Sequence, residues 1–134
     1  MLLYFRIPSF SENFLIHTFD INKKCIQTVL KNVEFSKTSD LISPQNKDFF
    51  DGIIPHKPRG LLVLNPPYGI RLQANTKRLY CEIGKKIRSD YRDCKVALIC
   101  PDHTTLHAFS PGVISAVRTN HGGLNIFVVF AEAR

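Results

Sequence analysis

Glycine is scarce where a phosphate-binding loop would need it. The chain has seven glycines, at 52, 60, 69, 84, 112, 122 and 123, and none makes a Gly-x-Gly loop between a strand and a helix. That removes the usual Gly-rich fingerprint of a dinucleotide site. The four cysteines, Cys25, Cys81, Cys94 and Cys100, show no Cys-x-x-Cys spacing. Free, buried thiols in a reducing compartment are the expected state. No apolar run is long enough to span a membrane. The opening Met1 to Phe5 is too short for a signal h-region and has no basic residues before it. A cytoplasmic protein with no membrane partner is expected.

What is present suits a globular domain. At 134 residues, 44% hydrophobic and 22% charged, the chain reads as one domain, residues 1–134. A net charge of +7 and a pI near 9.4 suit a polyanionic partner.

The most informative stretch is Gly60-Leu-Leu-Val-Leu-Asn-Pro-Pro-Tyr-Gly69, followed by Ile70-Arg71-Leu72. Leu61 to Leu64 read as a short strand buried on both faces of a parallel sheet. Pro66 and Pro67 cannot donate ladder hydrogen bonds, so the strand must stop at Asn65. Asn65 and Tyr68 then stand just past the carboxyl end of a strand, where open α/β sheets place ligands. The side-chain oxygen of Asn65 and the carbonyl of Pro66 can accept both hydrogens of a planar amino group. Tyr68 can stack on the ring that carries it. An amine held this way points its lone pair out of the ring plane, so catalysis would rest on positioning. A plain proline-rich turn closing a core strand is the simpler alternative.

In chain order, Leu2 to Ile7 has strand character but is broken by Pro8 and the polar residues after it. Phe14 to Phe19 is an expected strand ending at Asp20, with a helix from about Asn22 to Glu34 behind it. An acid at that point either caps the helix or accepts two ribose hydroxyls. Leu41 to Gln45 is an expected edge strand, because Pro44 interrupts its donors. A helix from about Asn75 to Tyr91 should bury Leu79, Ile83, Ile87 and Tyr91, with Tyr80 beside them. Lys77, Arg78, Lys85, Arg88 and Arg92 fall on its opposite face. From Arg71 to Lys95 there are eight basic and three acidic residues, a surface that is either simply solvated or in contact with RNA phosphates. Lys95 to Cys100 should be a buried strand. Asp102 should cap a short helix, which is the plainer reading of a segment whose His103 and His107 have metal-ligand spacing but no evident third ligand. Val113 to Thr119 and Leu124 to Ala131 should form a hairpin around Asn120-His-Gly-Gly123.

The segment around Asn65 resembles motif IV of amino-methylating class I methyltransferases. The longer Gly-Leu-Leu-Val-Leu-Asn-Pro-Pro-Tyr-Gly-x-Arg-Leu is most similar to the RNA guanine-N2 methyltransferases that usually carry a THUMP domain. Ile70 stands where those enzymes usually have Glu. Asn-x-Gly-Gly-Leu at the final hairpin resembles the same subgroup. The resemblance implies a Rossmann-like α/β sheet, mostly parallel, closed by an antiparallel hairpin. It implies S-adenosylmethionine as cofactor, held by Asp20 and Ile21, by Asp48 and Phe49 at the adenine, and by Asn65. Asn65, Pro66, Pro67 and Tyr68 would form the catalytic turn, and Tyr68 and Arg71 would meet the substrate, a guanine amine in rRNA or tRNA. Adenine or a protein glutamine presents an equivalent amine.

Against that family pattern, the first strand and its Gly-rich loop, which approaches the methionine part of the donor, are missing. The chain is therefore expected to be the C-terminal part of a larger catalytic domain, incomplete at its N-terminus. Leu2 to Ile7 is too close to the next strand for a parallel crossover. The strands at Phe14 and Leu61 would then either close up or stay bare, inviting association through their edges or with the missing N-terminal part. A non-catalytic fragment that binds RNA or a partner chain is the contrasting expectation.

Overall fold

The structure, a computed structural model, describes residues 2–6 (backbone course only), 16–51, 60–67, 73–109 and 112–133. Seven strands and three helices follow one another as β1 (Leu2–Arg6), β2 (Ile16–Asp20), α1 (Lys23–Phe35), β3 (Ile42–Asn46), β4 (Gly60–Leu64), α2 (Gln73–Asp90), β5 (Lys95–Cys100), α3 (His103–Phe109), β6 (Gly112–His121) and β7 (Leu124–Glu132). The strands form one sheet in the order β3-β2-β1-β4-β5-β7-β6.

The two βα crossovers behave as the sequence predicts. β2 pairs parallel with β3, and β4 pairs parallel with β5. They step outward in opposite directions, so right-handed connections put α1 and α2 on opposite faces. Asn22, rather than Asp20, caps α1, accepting from the Lys24 N–H at 3.0 Å. β3 lies at the sheet edge, where the missing N–H of Pro44 is tolerated. The β6–β7 hairpin turns through Gly122 and Gly123 at φ +57° and +83°. Two successive positive φ values are what a two-residue type I′ turn requires.

The main core lies between the sheet and α2. Leu62 and Leu64 of β4, Val96, Leu98 and Cys100 of β5, and Val129 and Ala131 of β7 all point to that face. α2 supplies Tyr80, Ile83 and Ile87, with Tyr91 just past its end; Leu79 is only partly buried. The Tyr80 hydroxyl donates to the Ile99 carbonyl at 2.6 Å and pins the helix to β5. Asp102 caps α3, accepting from the Thr105 N–H at 2.7 Å and the Thr104 hydroxyl at 2.8 Å. Burial alone would raise the Asp102 pKa, but these hydrogen bonds outweigh it and the net shift is downward. The His103 ring packs on Phe127, with centroids 4.5 Å apart.

The thiols are free, but only Cys94 and Cys100 are buried, while Cys25 is exposed and Cys81 partly so. Two expectations about the sheet also need correction. β4 is not buried on both faces: Leu62 is fully buried, but Leu61, on the opposite face, is 36% exposed. An apolar run cannot show which of its faces is covered. The second correction concerns the middle of the sheet. The strands β2 and β4 neither close up nor stay bare, because β1 lies between them, antiparallel to both. An antiparallel neighbour needs no crossover helix, so the short link to β2 is no obstacle. β2, β3, β4, β5 and β6 run in one direction and β1 and β7 in the other, so the sheet is mostly parallel as expected, with β1 as an additional antiparallel strand. Among the described residues, the sheet has seven strands.

Candidate functional site

β2, β3 and β4 run in one direction, so their carboxyl ends share an edge of the sheet. The residues just past those ends line a cavity of about 210 Å³. β2 contributes Phe19 and Asp20, with Ile21 following. The turn after β3 contributes Lys47, Asp48, Phe49 and Phe50. β4 contributes Leu64, then Asn65, Pro66 and Pro67, and Ile83 of α2 forms part of the wall. Seven residues singled out in the sequence, Asp20, Ile21, Asp48, Phe49, Asn65, Pro66 and Pro67, thus border one space. Tyr68 and Arg71 lie outside the described residues.

Local chemistry sets each of these groups. The Asp20 carboxylate accepts from the Asn22 N–H at 2.7 Å through Oδ1. Asn46, at the end of β3, donates from Nδ2 to the carbonyls of both Asp20 and Ile21, at 2.9 and 3.0 Å. One side-chain amide therefore ties the chain leaving β2 to the neighbouring strand. Asp48 folds the next turn on itself: its Oδ1 accepts from the Phe50 N–H at 2.9 Å, and its carbonyl accepts from the Asp51 N–H at 3.2 Å.

Phe49 is placed differently from a freely stacking ring. It stacks on Tyr91 with centroids 5.8 Å apart and planes 13° apart. That contact anchors the turn to the main core. Phe50 meets Phe49 edge-on at 5.3 Å and, at 38% exposure, is the more open of the two rings.

Sequence reasoning missed Lys47, Phe50 and Asn46. Lys47 and Phe50 flank Asp48 and Phe49 directly, and a turn this tight commits all four residues to the same wall. Asn46 gave no usable signal, since its role depends on a strand pairing 26 residues away in the chain.

Residues 7–124 match the sequence model of the RMKL-like methyltransferase domain. The chain belongs to this family. Among curated proteins it is 28% identical over 120 residues to the ribosomal RNA large subunit methyltransferase K/L of Shewanella frigidimarina, and 32% identical over 120 residues to that of Shewanella baltica OS185. Each alignment covers 85% of this chain and 17% of the relative, so the chain spans about a sixth of the length of those proteins. The solved structure of SMU.472 in complex with SAH superposes with a TM-score of 0.77 at 20% identity, covering 88% of this chain and 31% of that one. At that identity the likeness concerns the fold, and the fold is that of a Rossmann-like methyltransferase.

A methyltransferase domain of this family implies S-adenosylmethionine, and the residues fit one part of it. Two carboxylates on either side of aromatic walls suit a nucleoside, whose sugar hydroxyls and exocyclic amine are donors. The cavity's volume, about 210 Å³, lies below the roughly 300–1,000 Å³ usual for a whole ligand of drug size. Between β2 and β4 the sheet edge carries the amino end of β1, because Leu2 pairs with both Phe19 and Leu64. The carboxyl end of β1, Arg6, lies beside Gly60 at the far edge.

Among the described residues, no helix is long and apolar enough to cross a membrane.

Proposed function

We propose that this chain binds the nucleoside part of S-adenosylmethionine and presents a planar base amine, most simply guanine N2 in ribosomal or transfer RNA, to the turn at Asn65. The observation that carries this reading is the convergence of Asp20, Asp48 and Asn65 on one cavity at the carboxyl edge of the sheet. The names of the relatives, which are ribosomal RNA methyltransferases, support the RNA substrate.

Asp20 accepts from the ribose hydroxyls and Ile21 packs beside the sugar. Asp48 accepts from the adenine amine, and Phe49 and Phe50 border its ring. When bound, the cofactor supplies an electrophilic methyl group. Asn65 and the Pro66 carbonyl accept the two amine hydrogens and turn the nitrogen lone pair out of the base plane. Pro66 and Pro67 hold that receiver rigid, so little reorganisation remains at the moment of reaction. Tyr68 stacks on the target base and Arg71 meets a flanking phosphate. A methyl-transfer assay on ribosomal RNA tests the role of the turn. Asn65→Ala should lower the rate by at least about a hundredfold, the scale of a lost transition-state donor or acceptor. An unchanged rate would remove the catalytic role of the turn.

The orientation of β1 favours one second reading, a chain that binds nucleoside or RNA without transferring a methyl group. A wild-type chain that binds adenosine and RNA yet shows no turnover would fit that reading alone.

A further inference from the structure

α2 carries a second surface whose chemistry the cavity does not use. Its inward stripe is Tyr80, Ile83 and Ile87, continued by Tyr91. Arg78 and Lys85 stand seven residues, about two turns, apart on the opposite side, and Arg92 follows in the turn just past the helix end. Arg78 to Arg88 spans about 15 Å at 1.5 Å per residue. The line starts one turn into the helix that follows the Asn65 turn and ends at the other edge of the sheet.

At that far end the side chains border a shallow, open cleft. Lys85, Arg88, Ser89, Arg92, Asp93 and Ala133 line a space of about 520 Å³. The Arg92 Nε–H donates to the Arg88 carbonyl at 3.2 Å, which holds its guanidinium over the cleft. Three cations there meet one carboxylate, Asp93. The carbonyl end of a helix adds a further half negative charge at most, roughly −0.5, so the cleft stays positive. Lys85 pairs with Glu82 at 3.0 Å, but both partners are about half exposed, and such pairs are worth only about 0–1 kcal/mol. Lys86, by contrast, is neutralised by Asp90 at 2.8 Å on another face of the helix.

We propose that the outer face of α2 and the turn that follows it form a binding track for the phosphodiester backbone of RNA, with Arg78, Lys85, Arg88 and Arg92 as its phosphate contacts. This rests on the reading of RNA as the polymer whose base enters the Asn65 cavity. A backbone laid along α2 leads away from that cavity, so contacts here hold the strand while one nucleotide occupies the site. Phosphate contacts of this kind carry no sequence information, and their strength falls with salt.

The test uses the full chain and a fluorescent 20-nucleotide oligouridine, with affinity measured by anisotropy from 50 to 300 mM salt. Arg78→Gln/Lys85→Gln/Arg92→Gln should weaken binding about ten- to a hundredfold near 100 mM salt and lower the log–log salt slope by about 2. Lys23→Gln/Lys24→Gln/Lys31→Gln removes the same charge from the exposed face of α1 and should change affinity by less than about threefold. Equal losses in the two triple variants would reduce the track to net charge and overturn it. So would poly-glutamate competing as well as RNA for the wild-type chain. The Asn65→Ala variant separates this proposal from the catalytic one: it should keep full affinity for oligouridine, whose bases carry no exocyclic amine for Asn65 to hold, while losing methyl transfer to ribosomal RNA. An active Asn65→Ala chain that still depends on α2 for RNA would leave the track standing and remove only the catalytic turn.

Discussion

Leu2 and Leu64 face each other across an antiparallel ladder, at the end of β4 that leads into Asn65. β1, which lies between β2 and β4, therefore begins at the ligand edge instead of ending there. Among the described residues, the cavity at that edge is bordered by Asp20, Asp48 and Asn65 and, at about 210 Å³, suits the nucleoside part of the cofactor. Adenosine and S-adenosylhomocysteine should consequently bind with affinities within about threefold of each other, an energy difference of under about 0.7 kcal/mol. Calorimetry of the two ligands reads this directly, and a hundredfold advantage for the larger one would show that its amino-acid part is also held.

The Asn46 amide sets the carbonyls after β2 and through them the Asp20 wall. Asn46→Ala should lower adenosine affinity about three- to tenfold and cost about 1 kcal/mol of stability. Asn46→Asp should be worse than Asn46→Ala, because it points a carboxylate at two carbonyl oxygens that now accept from Nδ2. Binding and urea melts of the pair decide it; equal effects would mean the clamp does not matter.

Much of this site is legible in the sequence because it is local. Two prolines end β4 at Asn65, one proline places β3 at an edge, and two glycines make the hairpin. The inward stripe of α2 follows from helical spacing alone. What is not legible depends on pairings far apart in the chain. Nothing in Leu2 to Arg6 states which way the strand runs, and a rule about parallel crossovers is silent on an antiparallel one. Phe49 reads as a ring for stacking on a ligand, yet it lies against Tyr91, a contact that only the folded chain brings about. Leu61 and Leu62 look alike in sequence, but only Leu62 has a helix over it.

Tyr80 ties α2, and with it the basic track, to the carboxyl end of β5. Tyr80→Phe keeps the ring and removes the hydroxyl that donates to the Ile99 carbonyl at 2.6 Å. A loss of about 1–2 kcal/mol is expected, because that acceptor loses a buried donor. Urea denaturation gives the value, and a change below about 0.3 kcal/mol would show that the bond contributes nothing net.

Cys94 and Cys100 are buried, and burial pushes both thiols up to about 11. A raised folded pKa in an acid means that the unfolded chain loses its thiol protons first. This contribution to stability is thus full below the unfolded pKa near 9 and is lost as pH rises from 9 to 11. The fall should be on the order of 1–3 kcal/mol per thiol. Cys94→Ala/Cys100→Ala should flatten the stability profile over that window. An equally steep profile in the double variant would assign the fall to other groups.

Gly122 and Gly123 hold left-handed backbone at φ +57° and +83° with open space around them. Steric room is therefore not the constraint; conformation is. Gly122→Asn should be nearly neutral, since Asn tolerates this region, while Gly123→Ala should cost about 1 kcal/mol. Thermal melts of the two variants distinguish them, and equal stability would contradict the type I′ assignment.

The shared cavity of Asp20, Asp48 and Asn65 is most directly tested by titrating the ¹⁵N-labelled chain with S-adenosylhomocysteine. Saturable shifts concentrated at Ile21, Lys47 to Phe50 and Asn65, and lost in Asp20→Ala, are expected. Shifts confined to α3 or to the β6–β7 hairpin, or no saturable shift at millimolar ligand, would contradict the cavity as the cofactor site.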